Sequence, residues 1–149
     1  MESKELTIVI VTFKSDEKII NCLKSISNNI PVIVVENSDN KDFKKKIENI
    51  FTNVNCILVG ENKGYSTANN IGLKSVKTKY ALILNPDTIL DENAIKNFFT
   101  TKERVKDFWL IGPANNQIVQ FNEDDSNLKE VNNLKGFAIF LNLSKFNQD

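Results

Sequence analysis

Asn85 and Asp87 stand on either side of Pro86 at the end of the apolar run Ala81-Leu82-Ile83-Leu84. A carboxylate in that place has two ordinary uses: it caps the helix that follows, or it belongs to a tight Asn-Pro-Asp turn. A third use is chemical, because ligands of α/β proteins gather at the carboxyl ends of strands, where an aspartate can give an oxygen to a divalent cation. Three more polar groups follow apolar runs in the same way: Thr12, then Glu36-Asn37-Ser38, then Glu61-Asn62-Lys63-Gly64. Each alone reads as turn chemistry. On one edge of a parallel sheet, however, the four would offer acceptors for base N–H groups, backbone N–H groups beside a glycine, and a carboxylate for a metal on a diphosphate. Their coincidence points to a nucleotide.

The elements that must position these residues are legible in the apolar pattern. "LTIVIVTF", "PVIVVENS", "VNCILVG" and "YALILN" have the length and β-branched content of buried parallel strands. Between them, Ile19, Ile20, Leu23 and Ile26, then Phe43, Ile47, Ile50 and Phe51, recur at helical spacing. Ser15 or Asp16 can cap the first helix, and a third is expected from about Ser66 to Val76. Asp91 is expected to cap a fourth, carrying Ala94, Ile95, Phe98 and Phe99. Four alternations of strand and helix predict a doubly wound, mostly parallel α/β sheet with helices on both faces. After Trp109 the pattern becomes irregular. "FWLIGP" and "NQIVQF" read as short strands, "NEDDSNLKEVNN" as a polar connection, and "LKGFAIFLNL" as a longer strand interrupted by Gly136. The acidic triplet Glu123, Asp124 and Asp125 reads as a solvated loop. With no repeat or low-complexity linker, residues 1–149 are expected to form one domain.

Composition excludes several chemistries. The chain of 149 residues contains no histidine, which rules out Ser-His-Asp and Cys-His nucleophile systems and histidine-ligated zinc. Proton transfer and metal binding then fall to carboxylates. Nineteen basic residues balance nineteen acidic ones, so there is no electrostatic footprint for nucleic acid. No apolar run approaches the roughly 18 residues a membrane helix needs, and "MESKEL" lacks a signal-peptide core, so a cytoplasmic location is expected. Cys22 and Cys56 lack metal-ligand spacing and read as reduced packing thiols. Asn is abundant and Arg104 is the sole arginine, which lowers the weight of any isolated Asn.

Taken in order, "IVIVTF", "VIVVENSD", "NKGYSTANNIGL" and "LILNPDTIL" resemble the family 2 glycosyltransferases, particularly their rhamnosyltransferase-like branch; "IGP" and "LKGFAIFL" fit the same pattern. The likeness runs from about Leu6 to Phe146. It implies a Rossmann-like GT-A fold, a nucleotide-sugar donor linked to dTDP or UDP, a saccharide acceptor, and Mg²⁺ or Mn²⁺. By resemblance, Thr12 and Glu36 are donor-base contacts, Glu36 standing where the family often has Asp, with Asn37 and Ser38 beside it. Asn62, Gly64 and Asn69 match the segment that lies against the nucleoside. Asn85 and Asp87 fill the first and third positions of the Asp-x-Asp metal motif, so that Asp87 carries the charge on the metal. Gly136 and Phe137 match a segment near the sugar and acceptor.

The implied reaction is hexosyl transfer with inversion, in which a carboxylate base assists an acceptor hydroxyl. The family supplies that base from an acidic segment beyond the "GFAIFL" strand, and the sequence stops at Asp149, where such a segment would begin. The expectation is therefore donor binding with poor transfer, and exposed apolar surface around Phe137 to Leu143 that favours self-association. Two other classes are weighed: a nucleotide-sugar-binding module without catalysis, and a receiver-like signalling domain. The latter would want an acidic pair after the first strand, where Thr12-Phe13-Lys14 stands. A nucleotidyltransferase would want a glycine loop there instead.

Overall fold

The computed structural model describes residues 4–105, 107–113 and 131–146. Four strands, β1 (Leu6–Thr12), β2 (Val32–Glu36), β3 (Val54–Leu58) and β4 (Tyr80–Leu84), alternate with four helices, α1 (Asp16–Lys24), α2 (Lys41–Ile50), α3 (Tyr65–Lys74) and α4 (Ala94–Arg104). β5 (Leu110–Ile111) and β6 (Ala138–Asn142) complete a six-stranded sheet of order β3-β2-β1-β4-β6-β5. β3, β2, β1 and β4 are parallel, whereas β6 runs antiparallel to both β4 and β5. This is the doubly wound, mostly parallel α/β sheet that the apolar pattern predicts.

Pleating sorts the side chains. Leu6, Ile8 and Ile10 of β1 join Val32, Val34, Leu82 and Leu84 in one core with Ile19, Cys22 and Leu23 of α1, Phe43 and Ile47 of α2, and Phe99 of α4. Val9, Val11, Ile33, Val35 and Ala81 face the other way, against Ala68 of α3. The first core continues into a ring cluster around Phe140, whose centroid lies 5.3 to 5.7 Å from those of Tyr80, Phe98, Phe99 and Phe108. Helix α3 sits close on its layer because residue 72 is glycine: a Cβ there would lie 2.5 Å from Val9 Cγ1 and 2.9 Å from Val35 Cγ2.

The irregular half departs from the sequence expectations. Gly136 is not inside a strand; it lies with Phe137 in the turn that enters β6. β6 is flanked by β4 and β5, so Ala138, Phe140, Leu141 and Leu143 are buried, and the expected apolar exposure is confined to Phe137. Large exposed apolar side chains lie beyond it at Trp109, Leu110 and Val131. "FWLIGP" contributes only the two residues of β5, and "NQIVQF" and the triplet Glu123, Asp124 and Asp125 lie outside the described residues. Asp91 is not the α4 cap. Asn93 occupies that position, and the Asp91 carboxylate accepts from the Asn93 N–H in the turn before it. No described helix is long and apolar enough to cross a membrane.

The strand order fixes where a ligand would go. From β1 the chain departs toward β2, and from β4 it departs toward the β5–β6 side, so the order reverses between β1 and β4. A crevice forms outside the carboxyl ends of strands at such a switch point.

Candidate functional site at the carboxyl edge

Thr12 and Glu36 are the last residues of β1 and β2 and lie directly opposite each other in register. Their even positions put them on the α1/α2 side of the sheet, with Ile8, Ile10, Val32 and Val34. Both are buried, and neither Thr12 Oγ1 nor Glu36 Oε2 has a hydrogen-bond partner. The other carboxylate oxygen, Glu36 Oε1, accepts from the Ser38 hydroxyl. Burial pushes the Glu36 carboxyl above the usual carboxylate range, the Ser38 hydrogen bond opposes that, and the nearby Asp16 adds to it. Only one other buried polar side-chain atom among the described residues lacks a partner: Asn69 Oδ1, on α3. Buried polar groups are almost always satisfied, so two open ones side by side at the carboxyl ends of β1 and β2, with a third on α3 across the sheet, need an explanation.

Asn37, just beyond β2, ties the next loop down. Its backbone N–H donates to Thr12 O at 2.8 Å. Its side-chain Nδ2 donates to Asn62 Oδ1 at 2.9 Å and to Gly64 O at 3.4 Å, while its Oδ1 accepts from the Lys63 N–H at 3.0 Å. Asn62 Oδ1 also accepts from the Gly64 N–H at 3.0 Å. Gly64 has a φ of +80°, a left-handed value that favours glycine, and it is the N-cap of α3. The helix therefore begins at Tyr65, whose hydroxyl donates to Asn85 Oδ1 at 2.9 Å. From within α3, Asn69 Nδ2 reaches back to Tyr65 O at 3.1 Å.

Past β4, the Asn85 N–H donates to Phe137 O at 2.9 Å, and the Thr88 hydroxyl reaches the same carbonyl at 3.5 Å. Because Leu84 pairs with Ala138, Gly136 and Phe137 fall beside the end of β4 and are exposed there. Underneath, the buried Cys22 thiol donates to Asn85 O at 3.6 Å. Burial and the nearby Asp87 carboxylate push that thiol up to about 12. Asp87 itself is exposed in the turn, forms no hydrogen bond or ion pair with any described residue, and caps no helix.

Glu36, Asn62 and Asp87 thus follow parallel strands at the same edge, as their positions after apolar runs imply. The side-chain bonds form a Glu36-Ser38 pair and an Asn37-Asn62-Gly64 network, whose Asn37 N–H also holds Thr12 O; Tyr65, next to Gly64, reaches Asn85, and Asp87 stays outside these bonds. Tyr65 and Cys22 are the participants that residue type did not single out. For Tyr65 a signal existed: an aromatic hydroxyl directly after the N-cap glycine must lie at the helix start, on this edge. Cys22 gave none, since its position on α1 reads as packing.

Residues 7–139 match the family described as Glycosyl transferase family 2. The low-salt glycan biosynthesis hexosyltransferase Agl10 of Haloferax volcanii is 26% identical over 170 residues, covering 97% of this chain and 54% of that protein. A teichoic acid poly(glycerol phosphate) polymerase of Staphylococcus epidermidis is 31% identical over 124 residues, 78% of this chain and 17% of its own length. The chain therefore spans about half the length of the first relative and less of the second. Among solved structures, S. aureus TarS 1-349 in complex with UDP-GlcNAc superposes with a TM-score of 0.69 at 14% identity, over 93% of this chain and 46% of that one. The mannosyltransferase PcManGT from Pyrobaculum calidifontis, in complex with GDP-Man and Mn²⁺, gives 0.67 at 14% identity, over 97% and 48%. These structures share the fold, and the family match extends from β1 into β6; the chain belongs to glycosyl transferase family 2.

Proposed function

We propose that this chain binds a nucleoside-diphosphate sugar at the carboxyl edge of its sheet and serves hexosyl transfer to a saccharide with inversion. The observation that carries the reading is the set of buried, unpartnered polar atoms Thr12 Oγ1, Glu36 Oε2 and Asn69 Oδ1 on the elements that frame this edge. A base and ribose supply the hydrogen-bonding atoms such groups lack. Glu36 would accept from a base N–H, Thr12 would flank it, and Asn62, Gly64 and Asn69 would lie along the nucleoside. Gly136 and Phe137 would border the sugar and acceptor. UDP and dTDP are the proposed nucleotides, and rhamnose is the sugar that the sequence pattern suggests. The two neighbours bound to UDP-GlcNAc and GDP-Man support a nucleotide sugar at this fold.

The described residues contain no group of three or more acidic, thiol or imidazole ligands. Mg²⁺ nevertheless needs only one or two carboxylates when substrate phosphates complete its shell, and the exposed, unengaged Asp87 fits that role. A bound Mg²⁺ or Mn²⁺ would neutralise charge on the departing diphosphate. The protein's own part is to hold the base at Glu36, fix the Asn85 turn through Phe137 and Cys22, and keep Asp87 free. No described carboxylate stands out as the general base, so donor binding without transfer is the second reading. We further propose that one domain acts in the cytoplasm, and that the chain self-associates. Light scattering that shows a monodisperse monomer would count against the last point.

Calorimetry with UDP and dTDP, with and without Mn²⁺, tests the central reading. The parent should bind more tightly with metal, and Asp87→Asn should lose that increment while keeping its circular dichroism and melting temperature. Metal-independent binding, or equal binding by the variant, would return Asp87 to a simple turn role. Incubation with dTDP-rhamnose and UDP-sugars beside saccharide acceptors separates transfer from binding alone.

A further inference from the structure

Asn85 is fixed everywhere except at one end of its amide. Its N–H is taken by Phe137 O, its carbonyl accepts from Thr88 N at 3.1 Å and from Cys22 Sγ, and its Oδ1 accepts from the Tyr65 hydroxyl. Its Nδ2 bonds to no described residue. The Tyr65 hydroxyl sits on the first residue of α3, and the carbonyl of that residue is held by the buried Asn69. The hydroxyl at the first residue of α3 thus engages the oxygen end of the Asn85 amide and leaves its nitrogen end open.

That orientation has a chemical consequence. An amide whose oxygen is engaged by a hydroxyl offers NH₂, a donor, to whatever lies in the crevice, and NH₂ cannot ligate a cation. We propose that Tyr65 is a positioning residue which presents the Asn85 NH₂ to a phosphate oxygen of the donor, so that Asn85 binds the diphosphate and leaves the cation to Asp87. An aspartate at 85 would keep the Tyr65 hydrogen bond but turn an anionic oxygen toward the phosphates. The inference rests on the nucleotide-binding reading above, and it adds the residue that orients Asn85 and the ligand atom Asn85 meets.

Two measurements on the full chain test it. In ¹⁵N-labelled protein without ligand, Tyr65→Phe should move the Asn85 side-chain NH₂ resonances, assigned by their loss in Asn85→Ala, while the ring keeps the fold. In EDTA, Tyr65→Phe should weaken UDP binding about three- to tenfold and uridine binding less than twofold, as expected for one hydrogen bond. It should cause no further loss in an Asn85→Ala background. Unmoved NH₂ resonances, equal losses for uridine and UDP, or a loss seen only with Mg²⁺ would each overturn the proposal, the last by making Asn85 a cation ligand. A parent that binds no UDP defeats the nucleotide reading and this inference together. A parent that binds while Tyr65→Phe behaves identically defeats this inference alone.

Discussion

Glu36 shows how one side chain can oppose folding and still be kept. Its carboxyl is buried, half satisfied by Ser38, and held above the usual carboxylate range. The folded chain therefore keeps that proton more tightly than the unfolded chain, whose carboxyl titrates near the ordinary 4.5. The stabilisation is complete below that value and is lost as pH rises through the raised folded one. Because Gln does not titrate, Glu36→Gln should become more stable relative to the parent as pH rises from 4 to 7. Its stability should also vary less between pH 4 and 7, and urea melts across that range would show it. If Glu36 accepts a base N–H, the same variant should bind uridine more weakly. A variant that neither gains stability relative to the parent as pH rises nor binds more weakly would remove Glu36 from the site. The thiols give a second test at this scale. Cys22 is pushed up to about 12 and Cys56 to about 11 by burial, so neither should react with iodoacetamide in the native state at pH 8, while both should in urea.

Among the elements, what a sequence shows depends on whether local chemistry decides the outcome. The four parallel strands and their helices were legible because continuous β-branched runs and helical spacing leave little choice, and the polar residues ending each strand fell on one edge as a result. The α4 cap was misassigned because Asp91 and Asn93 are both good capping residues two positions apart. Gly136 was misplaced because a glycine inside an apolar run looks like an interrupted strand, whereas the chain turns there before pairing with β4. Pairing of β6 between β4 and β5 joins segments far apart in sequence, which no local pattern encodes. The α3 layer yields a direct test. Gly72→Ala would force a Cβ against Val9 and Val35, both side chains of sheet residues with neighbours behind them, and should cost about 1–3 kcal/mol in urea unfolding. Asn37→Ala should cost a similar amount, about 1–3 kcal/mol, by freeing the N–H of Lys63 and the carbonyl of Gly64. It should also raise backbone hydrogen exchange across residues 61–65.

For the whole molecule, the sheet does the positioning. A strand order that reverses between β1 and β4 gathers residues from 12 to 137 at one edge, and hydrogen bonds from Asn37, Tyr65 and Asn85 lock the loops there to one another. Among the described residues, the buried polar atoms left without a partner lie on β1, β2 and α3, the elements that frame this edge, and Asp87 stands exposed beside them. The proposed ligands at this edge are a nucleoside diphosphate and its cation. Paramagnetic broadening of backbone amide signals by Mn²⁺, recorded with and without UDP, tests that most directly. With UDP present, broadening should centre on Asn85 to Thr88 and extend to Tyr65 and Phe137, sparing the C-terminal end of α2 and the amino ends of the strands. Broadening centred on Glu48, on Asp91 and Glu92, or identical with and without UDP would contradict it.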